Sequence, residues 1–299
     1  MSEDGIGAED ALIGRLSALL RPTGAGVVAG IGDDCAALEG PKRGYLILLK
    51  TDCVVEGQHF LKTDSARAVG WKAACRAVSD IAACGGEPVS ALVTCVVRPD
   101  QTGRWLPDLY RGIEKAGCAF DFDVVGGELS GTEGEMVISV SMTGQVSRKD
   151  FVRRGGGRPG DVLFVTGVLG GALPSGWHLK FQPRLREARW LVNNFRVRAM
   201  MDLSDGLAAD LPRLARASGT GYQIDPDLVP RRRGVSRAGA MADGEDFELL
   251  LAMAPRQSAR LQEEWRAQFP RLPLTRIGVL ANKDKEEGLG LLRGYDHFE

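Results

Sequence analysis

Acidic side chains in this chain stand where apolar segments end or glycine loops open. Asp33 and Asp34 lie in GIGDD, Asp52 follows YLILLKT, Asp80 precedes the CGG stop, Glu128 follows GG, Asp202 and Asp205 share DLSDG, and Glu245 and Asp246 share GEDFELL. A carboxylate at the end of a buried strand is costly to desolvate unless it is paired or bound to metal. Hard cations such as magnesium take several such oxygens together with substrate phosphates, so the pattern predicts a phosphate site with several magnesium ions. Taken singly, the same residues also read as turn or N-cap groups (Asp33, Asp34, Asp205), or as an i,i+4 pair on a solvated helix face (Asp80 with Arg76). Only three histidines exist, His59, His178 and His297, and no Ser-His-Asp or Cys-His wording accompanies them. Covalent or acid–base catalysis is therefore weakly supported.

Strands and helices must bring these groups together, and apolar periodicity predicts where they run. Ala8, Leu12, Leu16, Leu19 and Leu20 have the spacing of a short amphipathic helix over 8–20, and YLILLKTDCVV (45–55) reads as a buried strand that turns polar towards its end. A helix from Ser65 is stopped by Gly85, Gly86 and Pro88, and a second spans 101–118; strands are predicted at 90–97, 122–127 and 135–146. The polar, basic, glycine-rich RKDFVRRGGGRPG marks a boundary near 147–160, dividing an N-terminal domain, 1–150, from a C-terminal one, 151–299. Beyond it, strands at 161–167, in AMMDL, at 246–254 and at 274–281 alternate with helices LAADLPRLARAS and 257–268, with Pro212 predicting a kink or a late start. RRRGVSR (231–237) reads as a solvated basic loop, and Trp71, Trp105, Trp177, Trp190 and Trp265, mostly in helical stretches, as packing groups.

Composition bounds the function. Over 299 residues, Lys+Arg 38 against Asp+Glu 39 leave a net charge of -1, so there is no global basic field for nucleic acid or an anionic membrane surface. With 44% hydrophobic and 26% charged residues the chain reads as a soluble globular protein, and no run approaches the ~20 apolar residues of a bilayer span. The acidic MSEDGIGAEDALIGRL does not read as a secretory signal, and a cytoplasmic location is expected. The six cysteines form no CxxC pair and are expected to be reduced and mostly buried.

In its wording the chain resembles the thiamine-monophosphate kinases, a family in the superfamily of aminoimidazole ribonucleotide synthetase. The matching segments, in family order, are GIGDDCAAL (30–38), TDCVVEGQHF (51–60), GWKAACRAVSDIAACGG (70–86), GGELS (126–130), RRGGGRPGDVLFVTG (153–167), MDLSDGLAADL (201–211), GEDFELL (244–250) and GYDHF (294–298). The resemblance implies a two-domain α/β fold with mixed sheets, in which the N-terminal half binds ATP and magnesium and its sheet pairs across a homodimer. It implies ATP and thiamine monophosphate as substrates and several magnesium ions as the metal. Metal ligands carried over are Asp33, Asp34, Thr51, Asp52, Asp80, Glu128, Asp202 and Asp205. Gly127, Glu128, Arg154 and Ser204 would contact ATP, and His59, Glu245 and Tyr295 the thiamine half of the acceptor. That acceptor is a phosphate monoester, already anionic, so no general base is predicted. The barrier is repulsion between two anions, which magnesium, Asp80 through the metal, and Arg154 would offset while holding the reacting oxygens in line.

The chain departs from the family wording at a few places. Lys50 stands where a small hydroxyl residue is usual, so one magnesium is expected to be lost or replaced by an ammonium. Glu128 replaces Asp, Asp243 replaces the first Gly of GGED, SGTEG lacks an Arg, and 168–185 is short. Two rival readings follow: a non-catalytic nucleotide-binding dimer, and ATP-dependent activation of an amide or carbonyl oxygen, against which GYDHF argues.

Overall fold

A computed structural model of the chain describes residues 7–21 and 23–298. Its first half is a six-stranded mixed sheet made of β1 (Val27–Ala29), β2 (Ala36–Glu39), β3 (Tyr45–Val55), β4 (Glu87–Val97), β5 (Asp123–Gly131) and β6 (Val137–Ser147). The spatial order is β1-β2-β3-β6-β4-β5, with only the β4–β5 pair at the edge parallel. Side chains alternate along β3: Leu46, Leu48 and Val54 are buried, whereas Leu49, Thr51 and Cys53 are exposed on the other face. On the buried face lies α2 (Ala66–Ala83), with α3 (Trp105–Phe120) packed against it. The apolar run of α2 is buried almost all round, because the sheet, α3 and α4 (Leu185–Asn194) cover three of its sides.

A second mixed sheet of six strands forms from β7 (Val162–Thr166), β8 (Val197–Leu203), β9 (Gly221–Ile224), β10 (Glu248–Met253), β11 (Leu274–Ala281) and β12 (Glu286–Glu287), in the order β12-β9-β11-β7-β10-β8. Helices α5 (Leu207–Ser218), α6 (Arg237–Ala242) and α7 (Pro255–Gln268) complete this half. The halves share packing: Phe181 stacks on Phe247 at 3.9 Å within the core of the first sheet, and Ala82 and Ala83 of α2 join the core around Phe164 and Trp265. No helix among the described residues is long and apolar enough to cross a membrane.

Several expectations change in detail. The opening helix, α1 (Ala8–Ala18), buries no residue, and Ile13, Leu16 and Leu19 are exposed. Acidic contacts hold it instead: Glu9 and Asp10 meet Arg213 at 3.3 and 3.1 Å, and Asp10 meets Arg216 at 2.9 Å. Pro212 lies inside α5, which begins at Leu207 with no late start. Within the basic stretch 231–237, Arg232 is not solvated: it pairs with Asp246 and lies 5.0 Å over Trp177. Cys35, Cys75, Cys84 and Cys95 are buried thiols, while Cys53 and Cys118 are exposed.

Candidate active site

Several elements deliver acids to one cavity of about 1260 Å³. The loop between β1 and β2 carries Asp34, β3 carries Asp52, α2 carries Asp80 and β8 carries Asp202 near its end. Side-chain oxygens of Asp34, Asp80 and Asp202, all buried, lie within 4.8 Å of one another. One Asp34 oxygen, Oδ2, is buried with no hydrogen-bond partner among the described residues. The Ser79 hydroxyl donates to Asp202 Oδ2 at 2.6 Å. Converging carboxylates with a bare oxygen are the donor set of a hard divalent cation, and these residues fit magnesium.

Charge crowding tunes the cluster. Burial, then repulsion from Asp34, pushes Asp202 up to about 7. Burial also raises Asp80, opposed by Lys50 and reinforced by Asp52 and Asp202. A metal needs ionised ligands, so apparent magnesium affinity is expected to climb, by at most about tenfold per pH unit, from pH 6 to 7 and to level off above 8. Because the folded pKa of Asp202 lies above its ordinary 3.8, the metal-free fold holds a proton that the unfolded chain has lost. Metal-free stability should therefore fall as pH rises from about 4 to 7. Melting curves and manganese titrations across that range check both signs; metal affinity independent of pH would contradict a proton held on Asp202.

Fixed cations line the same cavity. Lys50 lies on the Asp52 face of β3, its Nζ 2.9 Å from Asp80 Oδ1 and 3.6 Å from Asp52 Oδ2. Burial opposes its charge, but Asp52 and Asp80 raise its pKa well above the ordinary value. Burial likewise pushes Asp52 up, yet Lys50 and Arg76 pull it below the usual carboxylate range. Arg154 Nη2 reaches Asp34 Oδ1 at 2.6 Å. Asp33 lines the same cavity but is not one of the triad: it accepts the Arg154 N–H at 2.9 Å and lies 3.4 Å from Arg153 Nε, pinning the loop that carries Arg154.

Strand alternation also keeps the Thr51 side chain from the triad, since its hydroxyl lies on the opposite face with Ser141 and Ser139 at 3.1 and 3.4 Å. The Asp205 carboxylate is bound by Arg213 at 2.5 Å, and its N–H donates to the buried Asp210. Gly127 and Glu128 lie on the edge strand β5, exposed and outside the cavity of their own chain.

A smaller cavity of about 60 Å³ lies alongside and gathers His59, Glu245 and Tyr295, with Ser204 and Asp205. His59 Nδ1 accepts the Val55 N–H at 3.1 Å, and burial followed by repulsion from Arg76 lowers its pKa to about 3, leaving a neutral ring. His297 links the aromatic groups, 5.4 Å from His59 and 4.9 Å from Tyr295. The Tyr295 N–H donates to the Asp205 carbonyl at 2.8 Å, which ties the C-terminal segment to the DLSDG turn.

Glu245 and Phe247 have positive φ, 68° and 52°. Such a backbone costs about 1–2 kcal/mol per residue. It is held by the Glu245 and Phe247 N–H groups donating to Ser204 and Leu203 carbonyls at 2.6 and 2.7 Å. Lys72, with no exposed side-chain surface, places Nζ 2.6 Å from Glu245 Oε2 and from the His59 carbonyl.

Lys72, Arg76, Asp210 and Arg213 were not singled out as site residues by sequence reasoning. For α2 a signal existed: Lys72, Arg76 and Asp80 are spaced four apart, so an otherwise apolar helix presents one charged stripe. Lys72 and Asp80 are buried and the half-buried Arg76 reaches Asp52 and Glu245, which overturns the solvated Asp80–Arg76 face.

Comparison with known proteins supplies the context. The N-terminal domain of AIR synthase related proteins matches residues 32–146, and the C-terminal domain of the same proteins matches 124–288. A thiamine-monophosphate kinase of Rhodopirellula baltica is 32% identical over 86% of this chain and 84% of its own length. One from Bacillus subtilis is 29% identical over 91% and 94%. Among solved structures, AaThiL complexed with AMPPCP and TMP aligns with a TM-score of 0.81 and 29% identity, covering 98% of this chain and 97% of that one.

Proposed function

The chain belongs to the thiamine-monophosphate kinases of the AIR synthase related family, and from that premise we propose that it transfers the γ-phosphoryl group of ATP directly, in line, to thiamine monophosphate. The observation that carries this reading is the adjacency of the two cavities: the acidic cluster in one and His59, Glu245 and Tyr295 in the other, with Arg76, Ser204, Asp205 and His297 lining both. Asp34, Asp80 and Asp202 would hold magnesium, with Asp52 and Asp205 at the margin. An ion held by these residues would supply charge neutralisation to the phosphates.

The chain's own groups do the remaining work. Arg154, now on Asp34, is placed to exchange that carboxylate for ATP phosphate, and Ser204 offers a hydroxyl beside it. The neutral His59 ring and Tyr295 present aromatic surface to the heterocycles of thiamine, where a cationic ring is attracted to a π face. Glu245 adds an acceptor fixed by Lys72. No side chain has to remove a proton, because the acceptor phosphate is anionic at neutral pH.

The same reading places the chain in the cytoplasm as a homodimer, divided into 1–150 and 151–299. Supporting the dimer, β5 is an edge strand that exposes Val125 and Leu129. Gly127 and Glu128 on that strand would then serve the nucleotide site of the second copy.

Incubating the purified chain with ATP, magnesium and thiamine monophosphate should give thiamine diphosphate and ADP on chromatography, and omission of the acceptor should leave ATP intact. ATP-analogue binding without product would point to a nucleotide-binding dimer, and turnover with an amide acceptor alone to the carbonyl-activating reaction.

A further inference from the structure

Four residues line both cavities: Arg76, Ser204, Asp205 and His297. Of these, Arg76 alone is a permanent cation. If the thiamine half of the acceptor occupies the smaller cavity and ATP the larger, as in the reaction proposed above, the acceptor phosphate must lie at their junction. A dianionic monoester there needs a positive, multiply donating neighbour.

Arg76 has unused capacity for that role. Among the described residues its guanidinium makes one hydrogen bond, Nη1 to Glu245 Oε1 at 3.0 Å, and a looser ion pair, Nη2 to Asp52 Oδ1 at 3.6 Å. Its Nε is buried with no hydrogen-bond partner among those residues. A guanidinium carries five N–H donors, so most are not engaged by protein.

The surrounding acids do not depend on Arg76 alone either. Asp52 has Lys50 at 3.6 Å, Glu245 has Lys72 at 2.6 Å and Asp205 has Arg213 at 2.5 Å. Each of these three carboxylates thus has a second cation, Lys50 being shared with Asp80, and although the surrounding acids favour the charged guanidinium, its unengaged N–H donors stay available to an anion at the junction. The side chain is also held in place, with its guanidinium carbon 5.6 Å from the Phe247 ring.

We propose that Arg76 binds the phosphate of the acceptor and sets the preference of this chain for a phosphate monoester over the free alcohol. Lys50 and Lys72 act as positioning residues: by matching Asp52 and Glu245 they leave the guanidinium for substrate. The inference rests on the reaction proposed above.

Calorimetry with thiamine monophosphate and with thiamine, on the full-length chain and its variants, separates binding of the phosphate from binding of the ring system. The native protein should prefer the monophosphate, and Arg76→Met should lose roughly 10- to 100-fold of that preference while its thiamine affinity stays. In turnover, KM for thiamine monophosphate should rise with KM for ATP unchanged. A merely structural arginine would weaken both ligands alike, and that outcome, or an undiminished preference, would overturn the proposal. Should Arg76→Met fail to melt cooperatively, Arg76→Lys decides: it keeps the charge and loses the fork, so a severalfold drop in preference supports the assignment and none overturns it. A native protein that made no thiamine diphosphate would overturn the reaction, whereas loss of phosphate preference in the variant would still establish the phosphate subsite.

Discussion

Asp80→Asn is expected to lower kcat/KM for thiamine diphosphate formation by about 10³-fold or more, the scale of removing a preorganised electrostatic group from a transition state. Asp80 is the central acid of the cluster: it lies with Asp34 and Asp202 in the triad and also receives the Lys50 ammonium at 2.9 Å. Asparagine keeps the shape and one carbonyl oxygen but removes the negative charge that a divalent ion needs. Lys50 would retain Asp52 as partner, so no buried ammonium is abandoned. Burial and the neighbouring acids Asp52 and Asp202 raise the Asp80 pKa in the metal-free state, with Lys50 opposing them, so a negative charge there is disfavoured. The neutral substitute should therefore leave the metal-free melting temperature nearly unchanged or raise it. A product assay and a melting curve on the same preparation test both halves. Activity within tenfold of the native chain would remove Asp80 from the metal site, and a collapsed fold would mean that its role is structural.

The acids of the larger cavity were legible in the sequence because carboxylates at strand ends and glycine turns are a local signal, whereas His59, Glu245 and Tyr295 were named only through the family resemblance. Asp34, Asp80 and Asp202 meet in one cavity, and His59, Glu245 and Tyr295 meet in the other. Hydrophobic alternation also identified the long strands, and glycines marked where helices stop. What remained hidden depends on non-local facts. Thr51 sits beside Asp52 in sequence, yet a strand sends neighbours to opposite faces, and only the pairing with β6 reveals which face meets α2. Glu128 falls just past the predicted strand 122–127, yet β5 runs on through it to Gly131, and its edge position and exposure follow from sheet order. Arg76 read as a solvated partner of Asp80 because a helix covered on three sides shows no polar face to contrast with its apolar one. The exposed Ile13 and Leu16 of α1 mark the opposite case: the apolar spacing predicted a packed face, while the contacts that hold the helix are acidic groups on Arg213 and Arg216.

The largest stability effect is expected from glycines far from any substrate. Where α2 crosses α3, a Cβ added at Gly112 would lie 2.0 Å from the Arg67 carbonyl oxygen, and one at Gly70 would lie 2.0 Å from that of Leu109. Both obstacles are backbone, so no side-chain rotation relieves them and the helices must separate. Glycine inside a helix is ordinarily about 1 kcal/mol worse than alanine; here close approach reverses that preference. Gly112→Ala should destabilise the chain by about 3 kcal/mol net, at the upper end of overpacking costs, lowering the melting temperature by roughly 6–12 °C. Gly103, with nothing within 4 Å of an added Cβ, supplies the control, and Gly103→Ala should melt with the native chain. Activity should follow packing: α2 carries Lys72, Arg76 and Asp80 on one stripe, so displacing it from α3 shifts all three relative to Asp34 and Asp202. If Gly112→Ala melts like Gly103→Ala, the helices do not meet at these glycines, and the site has no need of so close a crossing to set its charged stripe.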